Sequence, residues 1–328
     1  MDAATKGRLG IVIVNWNSGD MLRQCLASMA VCDRFDRVAQ VVVVDNNSRD
    51  DSCDDLPSLT APVKVIRNAD NLGFAAACNQ GAAVCSAEYV LFLNPDSELL
   101  PNSLSVPLQY LDEPQNADVA ICGVQLLDES GRVARSCSRL PTCFNLTAMA
   151  LRLHSVSRRL FPPNFMKEWN HADTRDVEQV IGAFFLVRRS VYDQLQGFDE
   201  RFFVYFEEVD FCERTRQLGL RTVYLATAQA IHVGAGCSSQ VRALSLFYSL
   251  RSRLLYAKKH FPVIAAFTVQ AATLVGEPVI RVTKATLGLK WQQIGPLLFA
   301  FSKLWQDRWA RKGVARSNVA STPLKRAA

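Results

Sequence analysis

Residues 202–214, Phe-Phe-Val-Tyr-Phe-Glu-Glu-Val-Asp-Phe-Cys-Glu-Arg, set four aromatic side chains in five positions directly before a cluster of carboxylates. Aromatic rings favour burial, whereas a carboxylate favours water, a cation or a proton donor. A segment that joins them suits the edge of a core facing a pocket, where a carboxylate gains an altered pKa and can act as a general base. The competing reading is a buried strand or loop running into a helix whose acidic first turn is solvated and favoured by the helix dipole. Glu207, Glu208 and Asp210 are the candidates for chemistry, with Tyr205 beside them. At helical spacing Glu207, Asp210 and Arg214 share one face and Glu208 points away from it.

The elements upstream must hold these acids against a substrate. Residues 11–14 (IVIV), 41–44 (VVVV), 63–66 (VKVI) and 89–93 (YVLFL) read as buried strands. Helical patterns over residues 20–30 and 73–84 separate them. Alternating strands and helices imply right-handed βαβ units and a parallel sheet. Polar residues recur at the carboxyl ends of these strands: Asn15 and Asn17, then Asp45, then Asp96. Ligands bind at those ends in open α/β sheets. Neither GxGxxG nor GxxxxGK[ST] occurs, which argues against a standard dinucleotide or P-loop site. An acid at a strand end suits a base or ribose, and Asp96 suits a hard divalent cation holding a diphosphate.

Four motifs in order, residues 11–17, 41–48 (VVVVDNNS), 71–81 (NLGFAAACNQG) and 93–96 (LNPD), resemble family 2 glycosyltransferases, over roughly residues 9–240. The resemblance implies the GT-A fold, a Rossmann-like, mostly parallel α/β sheet flanked by helices, and a nucleotide-diphospho-sugar donor. It implies that Asp45 binds the nucleobase, with Asn15, Asn17 and Asn47 at the same strand ends. Asn71, Gly73, Phe74 and Asn79 would line the nucleotide and sugar. Asp96 would be the metal-binding acid of a DxD-type motif whose first acid is Asn94 here, a version similar to that of the rhamnosyltransferase-like branch. Arg139, within Ser138-Arg139-Leu140-Pro141-Thr142, would reach phosphate oxygens, its alternative being a surface arginine. Residues 180–189 resemble the family's strand beside the acceptor, with Gly182 and Ala183 at the contact and Tyr205 on the facing wall. His232, which opens a glycine-rich turn, would join Asp96 at Mg²⁺ or Mn²⁺. The second acid of the pair, Glu208, takes the place of the base, where the family more often has Asp. Whether Glu207 shares that role stays open. The implied reaction is direct displacement at the anomeric carbon with inversion.

Between these motifs, residues 101–111 read as a helix opened by proline, and residues 119–123 as a strand. Residues 155–176 read as a loop over the site. His154 and His171 read as surface residues.

The 328-residue chain has a net charge of +6, which hides a split. From Arg242 onward fifteen Lys and Arg face two acids, +13, so residues 1–241 carry 6 − 13 = −7. An acidic body with a basic, apolar tail suggests an anionic partner. The tail is helical in pattern: Leu244, Phe247, Leu250, Leu254 and Leu255 form one face, and residues 294–305 carry an apolar stripe. The fourteen-residue apolar run 263–276 is too short to span a bilayer and is closed by Glu277-Pro278. Trp291, Trp305 and Trp309 beside Arg308, Arg311 and Lys312 suit a lipid headgroup boundary. Packing on the catalytic domain or on a second copy in a homo-oligomer is the alternative. No nucleic-acid-binding module accompanies the basic residues. Ten scattered cysteines without CxxC spacing, and an N-terminus without a signal-peptide core, point to free thiols in a reducing cytosol.

These features predict a GT-A catalytic domain over residues 1–240, a basic amphipathic helical region over 241–312 and a disordered end over 313–328. The expected function is transfer of a sugar, best L-rhamnose from dTDP-rhamnose, to a lipid-linked or polysaccharide acceptor at the cytoplasmic face of the membrane. A UDP-linked galactose or N-acetylglucosamine donor is the alternative within the class. A non-catalytic nucleotide-sugar-binding or membrane scaffold protein is the alternative outside it.

Overall fold

The computed structural model describes residues 7–234 and 242–314, and, within its last helices, not the side chains of residues 242, 293 and 308–314. The glycine-rich turn beyond Gly234 and the side chains of Arg308, Trp309, Arg311 and Lys312 therefore lie outside the described residues.

The N-terminal half alternates as its apolar runs require. Strand β1 (Leu9–Asn15) leads into α1 (Asp20–Ser28), then β2 (Val38–Asp45), β3 (Val63–Arg67), α2 (Phe74–Val84) and β4 (Tyr89–Leu93). The strands β3, β2, β1 and β4 lie side by side and parallel. Both faces of β1 and β4 are covered, so each is buried along its whole length, whereas β3 at the edge is only partly buried. Gly81 permits the close approach of α2, since a Cβ there would lie 2.4 Å from Val12 Cγ1.

The second half makes the sheet mixed. Short β5 (Ser97–Leu99) follows Asp96, then α3 (Ser105–Asp112), β6 (Val119–Leu127), β7 (Cys137–Ser138), α4 (Cys143–Ala150), β8 (Arg175–Val177), β9 (Gln179–Val180) and β10 (Phe184–Arg188). Helices α5 (Arg189–Gln194) and α6 (Glu207–Gln217) precede the long strand β11 (Arg221–His232). Strand β10 inserts antiparallel between β4 and β6. Strand β11 runs parallel to β6, and its end pairs antiparallel with β5. Among the described residues nine strands share this sheet, and β7 pairs with β9 in a small second one.

Four sequence expectations change. The helix expected from residue 101 begins at Ser105, because residues 101–104 form turns. The strand expected over 180–189 is broken at residues 181–183, and a Cβ on Gly182 would meet open space. Residues 155–176 are not all loop, since β8 pairs with β11 through Val223↔Asp176 and Tyr224↔Arg175. His171 is fully buried. It stacks on Trp169 at 4.1 Å, and its Nε2 lies 3.2 Å from the Cys137 amide.

The C-terminal helices are α7 (Arg242–His260), α8 (Val263–Ala271), α9 (Glu277–Leu287) and α10 (Ile294–Val314). Phe247 and Leu250 of α7 pack with Leu274, Ala300, Phe301 and Leu304. Glu277-Pro278 does not close the helix. A π-helical turn over residues 272–276 joins α8 to α9, and the helix continues to Leu287. Proline is tolerated where a wider turn has already displaced the hydrogen-bond ladder. Residues 263–287 thus form 25 helical residues, within which an 18-residue window has a mean hydropathy of 1.6, long and apolar enough to cross a membrane by length and composition alone. Glu277 is fully buried. It accepts from Arg253 Nη1 at 2.5 Å and from Arg281 Nε at 2.8 Å.

Removing one partner of a buried ion pair strands the other. Arg253→Ala is expected to lower unfolding free energy by about 3 kcal/mol, read from urea denaturation. A loss within about 0.5 kcal/mol, as for an exposed site, would show that Arg281 alone satisfies Glu277.

Candidate active site

Asn15 organises the strand ends. Its buried Nδ2 lies 2.9 Å from Asp45 Oδ1 and 2.8 Å from Ser52 Oγ, and its Oδ1 accepts from Ser18. It therefore orients the Asp45 carboxylate rather than presenting itself to a ligand. Asn17 and Asn47 adopt left-handed backbone conformations, with φ of 50° and 64°. The Asn17 side chain accepts from the Arg49 amide at 2.7 Å. An open hollow of about 470 Å³ lies here, lined by Asn17, Ser18, Gly19, Met21, Arg49 and Asp50.

Asn46, which sequence reasoning passed over, ties this corner to the next motif. Its Nδ2 donates to Asn71 Oδ1 and to Gly73 O, and its Oδ1 accepts from the Leu72 amide. The signal was its place inside the DNNS run. Gly73 has φ 90°, and a Cβ there would lie 2.5 Å from Phe203 O. The next amide, Phe74 N, donates to that same carbonyl at 2.6 Å. The loop before α2 and the stretch before α6 are thus joined backbone to backbone.

Asp96 and His232 meet because β5 pairs with β11, which sets Ser97 opposite His232. Asp96 Oδ1 lies 3.4 Å from His232 Nε2. The Asn94 amide donates to Ala183 O at 3.1 Å. Ala183 is thereby buried against the Asn94–Ser97 turn, beside the half-buried turn at Gly182.

Two expected residues stand elsewhere. Asn79 is spent on packing, since it bonds Tyr192 Oη at 2.5 Å and both the amide and the carbonyl of Phe198 at 2.9 Å. Arg139 makes a half-exposed ion pair with Glu168.

The acidic turn itself is strained. Tyr205 and Phe206 have φ of 68° and 69°, a region that costs a non-glycine residue of order 1–3 kcal/mol. The turn drives the first residues of α6 inward. Asp210 is fully buried and lies 2.8 Å from Arg214 Nε, 2.6 Å from Lys259 Nζ and 2.7 Å from His260 Nε2. Burial alone would raise its pKa, but the His260 hydrogen bond and the Arg214 and Lys259 charges outweigh that and hold it low. Lys259 and His260 come from the end of α7, and sequence reasoning did not find them. The lone signal was a Lys-His pair closing an amphipathic helix.

Among the described residues, Glu207 and Glu208 have no such partners. One carboxyl oxygen of each is buried without a hydrogen bond. Burial, and then the Glu208 charge, push Glu207 well above the usual carboxylate range, and burial raises Glu208. Glu207 is 5% exposed, whereas Glu208 is half-buried, with Gln179 Nε2 3.5 Å from its Oε1. Glu207 is thus the more deeply buried of the two, and Glu208 is the one that reaches solvent. A half-exposed carboxylate with a raised pKa beside the strand ends can accept a proton from a hydroxyl.

The family model described as glycosyl transferase family 2 matches residues 10–196, and the chain belongs to that family. The match ends before the acidic turn. An N-acetylglucosaminyl-diphospho-decaprenol L-rhamnosyltransferase of Mycobacterium tuberculosis is 27% identical over 240 residues, covering 68% of this chain and 75% of the relative. The rhamnosyltransferase WbbL of Escherichia coli is 30% identical over 150 residues, 44% of this chain and 52% of WbbL. In fold the chain is similar to the mannosyltransferase PcManGT of Pyrobaculum calidifontis, solved with GDP-Man and Mn²⁺. The TM-score is 0.53 at 15% identity, covering 92% of this chain and 88% of that one. S. aureus TarS 1-349 aligns with a TM-score of 0.50 at 15% identity, covering 90% and 81%. The fold is GT-A, and the chain is a glycosyltransferase.

A carboxyl whose pKa is raised by folding opposes the folded state as pH climbs from its unfolded value, about 4.3, toward its folded one. Glu207→Gln removes that penalty. Its melting temperature is expected to exceed wild type at pH 8 and to converge with it near pH 4.5. A pH-independent difference in thermal melts would show that Glu207 is not the buried, raised acid.

Proposed function

We propose that the chain is an inverting hexosyltransferase that moves L-rhamnose from dTDP-rhamnose to a hydroxyl of a lipid-linked glycan, using Mg²⁺ or Mn²⁺. The observation that carries this reading is the Phe74–Phe203 hydrogen bond. It fixes the donor-side loop and the turn bearing Glu208 in one unit, so nucleotide and base are held in a single frame. The rhamnosyltransferase relatives supply the choice of sugar.

In this reading Asp45, oriented by Asn15, receives the nucleobase, and the Asn71–Phe74 loop borders the sugar. Glu208 takes the proton of the acceptor hydroxyl through a carboxylate oxygen. The hydroxyl oxygen bonds to the anomeric carbon as the bond to the diphosphate oxygen breaks, and the nucleoside diphosphate leaves from the opposite face. No covalent intermediate on the chain is required.

Asp96 and His232 would hold the cation. One carboxylate and one imidazole 3.4 Å apart fit an ion that takes its remaining ligands from phosphate and water. Among the described residues no group of three or more acidic, His or Cys side chains could hold a metal, so the donor itself would complete the shell. The cation would offset charge on the departing diphosphate. The C-terminal helices would hold the enzyme peripherally on the anionic inner face of the cell membrane, where a lipid-linked acceptor is presented.

Glu208→Gln is expected to lower kcat by about 10²–10⁴ while leaving the KM for dTDP-rhamnose within a few-fold, measured by nucleotide release with a lipid-diphosphate acceptor. Asp96→Asn should raise the Mn²⁺ concentration needed for half-maximal rate. Full transfer by Glu208→Gln would contradict the assignment of the base.

A further inference from the structure

Two stretches far apart in sequence meet on one side of the molecule. Helix α4 packs against α8 and the π-helical turn, and Cys143 Sγ lies 3.4 Å from Ala265 O. Leu151 fills the space left by Gly276, where a Cβ would lie 2.5 Å from Leu151 Cδ2. The loop after α4 therefore runs beside α9. Arg152 and Lys284 line the same groove of about 1130 Å³, with Leu246, Val279, Ile280 and Leu297 among its apolar walls. His154 records the same proximity: burial, and then Arg152, Arg158, Lys284 and Lys167, hold its imidazole below the ordinary range.

The charge on this side has one sign. Residues 143–167 contain no Asp or Glu, and the single acid of residues 263–291, Glu277, is buried and paired. Among the described residues, none of Arg158, Lys167, Lys284 and Lys290 forms an ion pair with a carboxylate; the nearby Glu168 is taken by Arg139. Large apolar side chains stand exposed among these cations. Val156 is 82% exposed and Leu160 67% on the first stretch, Ile264 82% and Phe267 66% on the second. Apolar groups outward between unpaired cations match the boundary of an anionic bilayer, where acyl chains lie beneath phosphates. Water alone gives no compensation for such a face.

We propose that residues 143–167 and 263–291 form one docking face for an anionic bilayer, with the groove between them receiving a lipid phosphate. The face deepens the membrane association proposed above and rests on it, but it moves half of the contact out of the C-terminal helices and onto the catalytic domain. Helix 263–287 would lie along the membrane surface. Its other side is taken by α4 and by the Arg253–Glu277 pair of α7, which a lipid-surrounded span would have to give up.

The test is co-sedimentation of the full chain with vesicles of phosphatidylcholine alone or with 30% phosphatidylglycerol added, on the order of a plausible anionic fraction. Two variants are compared with wild type: Arg158→Glu with Lys167→Glu, and Lys284→Glu with Lys290→Glu. Each is expected to weaken binding to the anionic vesicles at least about tenfold, since each surface cation contributes roughly a fivefold factor. Both should keep the thermal shift produced by dTDP, which reports an intact donor site. If only the second variant weakens binding, the bipartite face is wrong and association through the C-terminal helices stands. Failure of wild type to bind anionic vesicles would overturn both. Resistance of bound wild type to release by high salt and carbonate would overturn the interfacial placement in favour of a span.

Discussion

The site depends on one buried carboxylate. Asp210 has no exposed surface and is met by three cationic or hydrogen-bonding side chains, Arg214, Lys259 and His260. A buried ion in low dielectric is tolerable only when so surrounded, and losing one partner of such a cluster costs about 3–5 kcal/mol. Two of the three partners belong to α7. The helix that carries the candidate base is therefore docked by a helix from the C-terminal region, which is part of the catalytic unit as well as a tail. Arg214 extends the linkage further, donating to Leu195 O and Gly197 O.

With Asp210 anchored, the preceding turn has little freedom. Phe203 is held by Gly73 and Phe74 on one side and stacks on Tyr248 of α7 at 4.5 Å on the other. Ser252 of α7 donates to Val204 O. Between these fixed points the chain passes through two left-handed residues, Tyr205 and Phe206, and enters α6 with Glu207 facing the core. Strain and two poorly satisfied carboxyls are concentrated within a few residues. Such a concentration is destabilising and persists where the surroundings over-determine it. It produces two glutamates of different character, one buried, with its pKa pushed up by burial, and the other half-buried and open to solvent.

Much of this arrangement was legible in the sequence, for physical reasons. The runs IVIV and VVVV admit only strands buried on both faces, so Asn15 and Asp45 had to fall at carboxyl ends. Asp96 and His232 were readable as polar residues ending apolar strands, although the β5–β11 pairing that joins them is a long-range event. Other features required the third dimension. His260 looked like an ordinary helix-terminal residue, because only the docking of α7 brings it to Asp210. His171 read as a surface residue from its polar neighbours, yet Trp169 and Tyr224 close over it. Asn79 lies in a donor-site motif but is drawn away by Tyr192 and Phe198, whose approach no local pattern announces. The Glu277-Pro278 pair looked like a helix stop, because a buried arginine partner for Glu277 and a π-helical turn before Pro278 leave no mark in a hydropathy pattern.

The division of labour between the two glutamates is tested most directly by the pH dependence of kcat/KM in wild type and in Glu207→Gln. An acidic limb with an apparent pKa above the ordinary glutamate value of about 4.3 is expected in wild type, and it should persist in the variant, because the limb belongs to Glu208 and not to Glu207. Loss of that limb in Glu207→Gln, or a wild-type limb at the ordinary value, would contradict Glu208 as the half-buried, raised base.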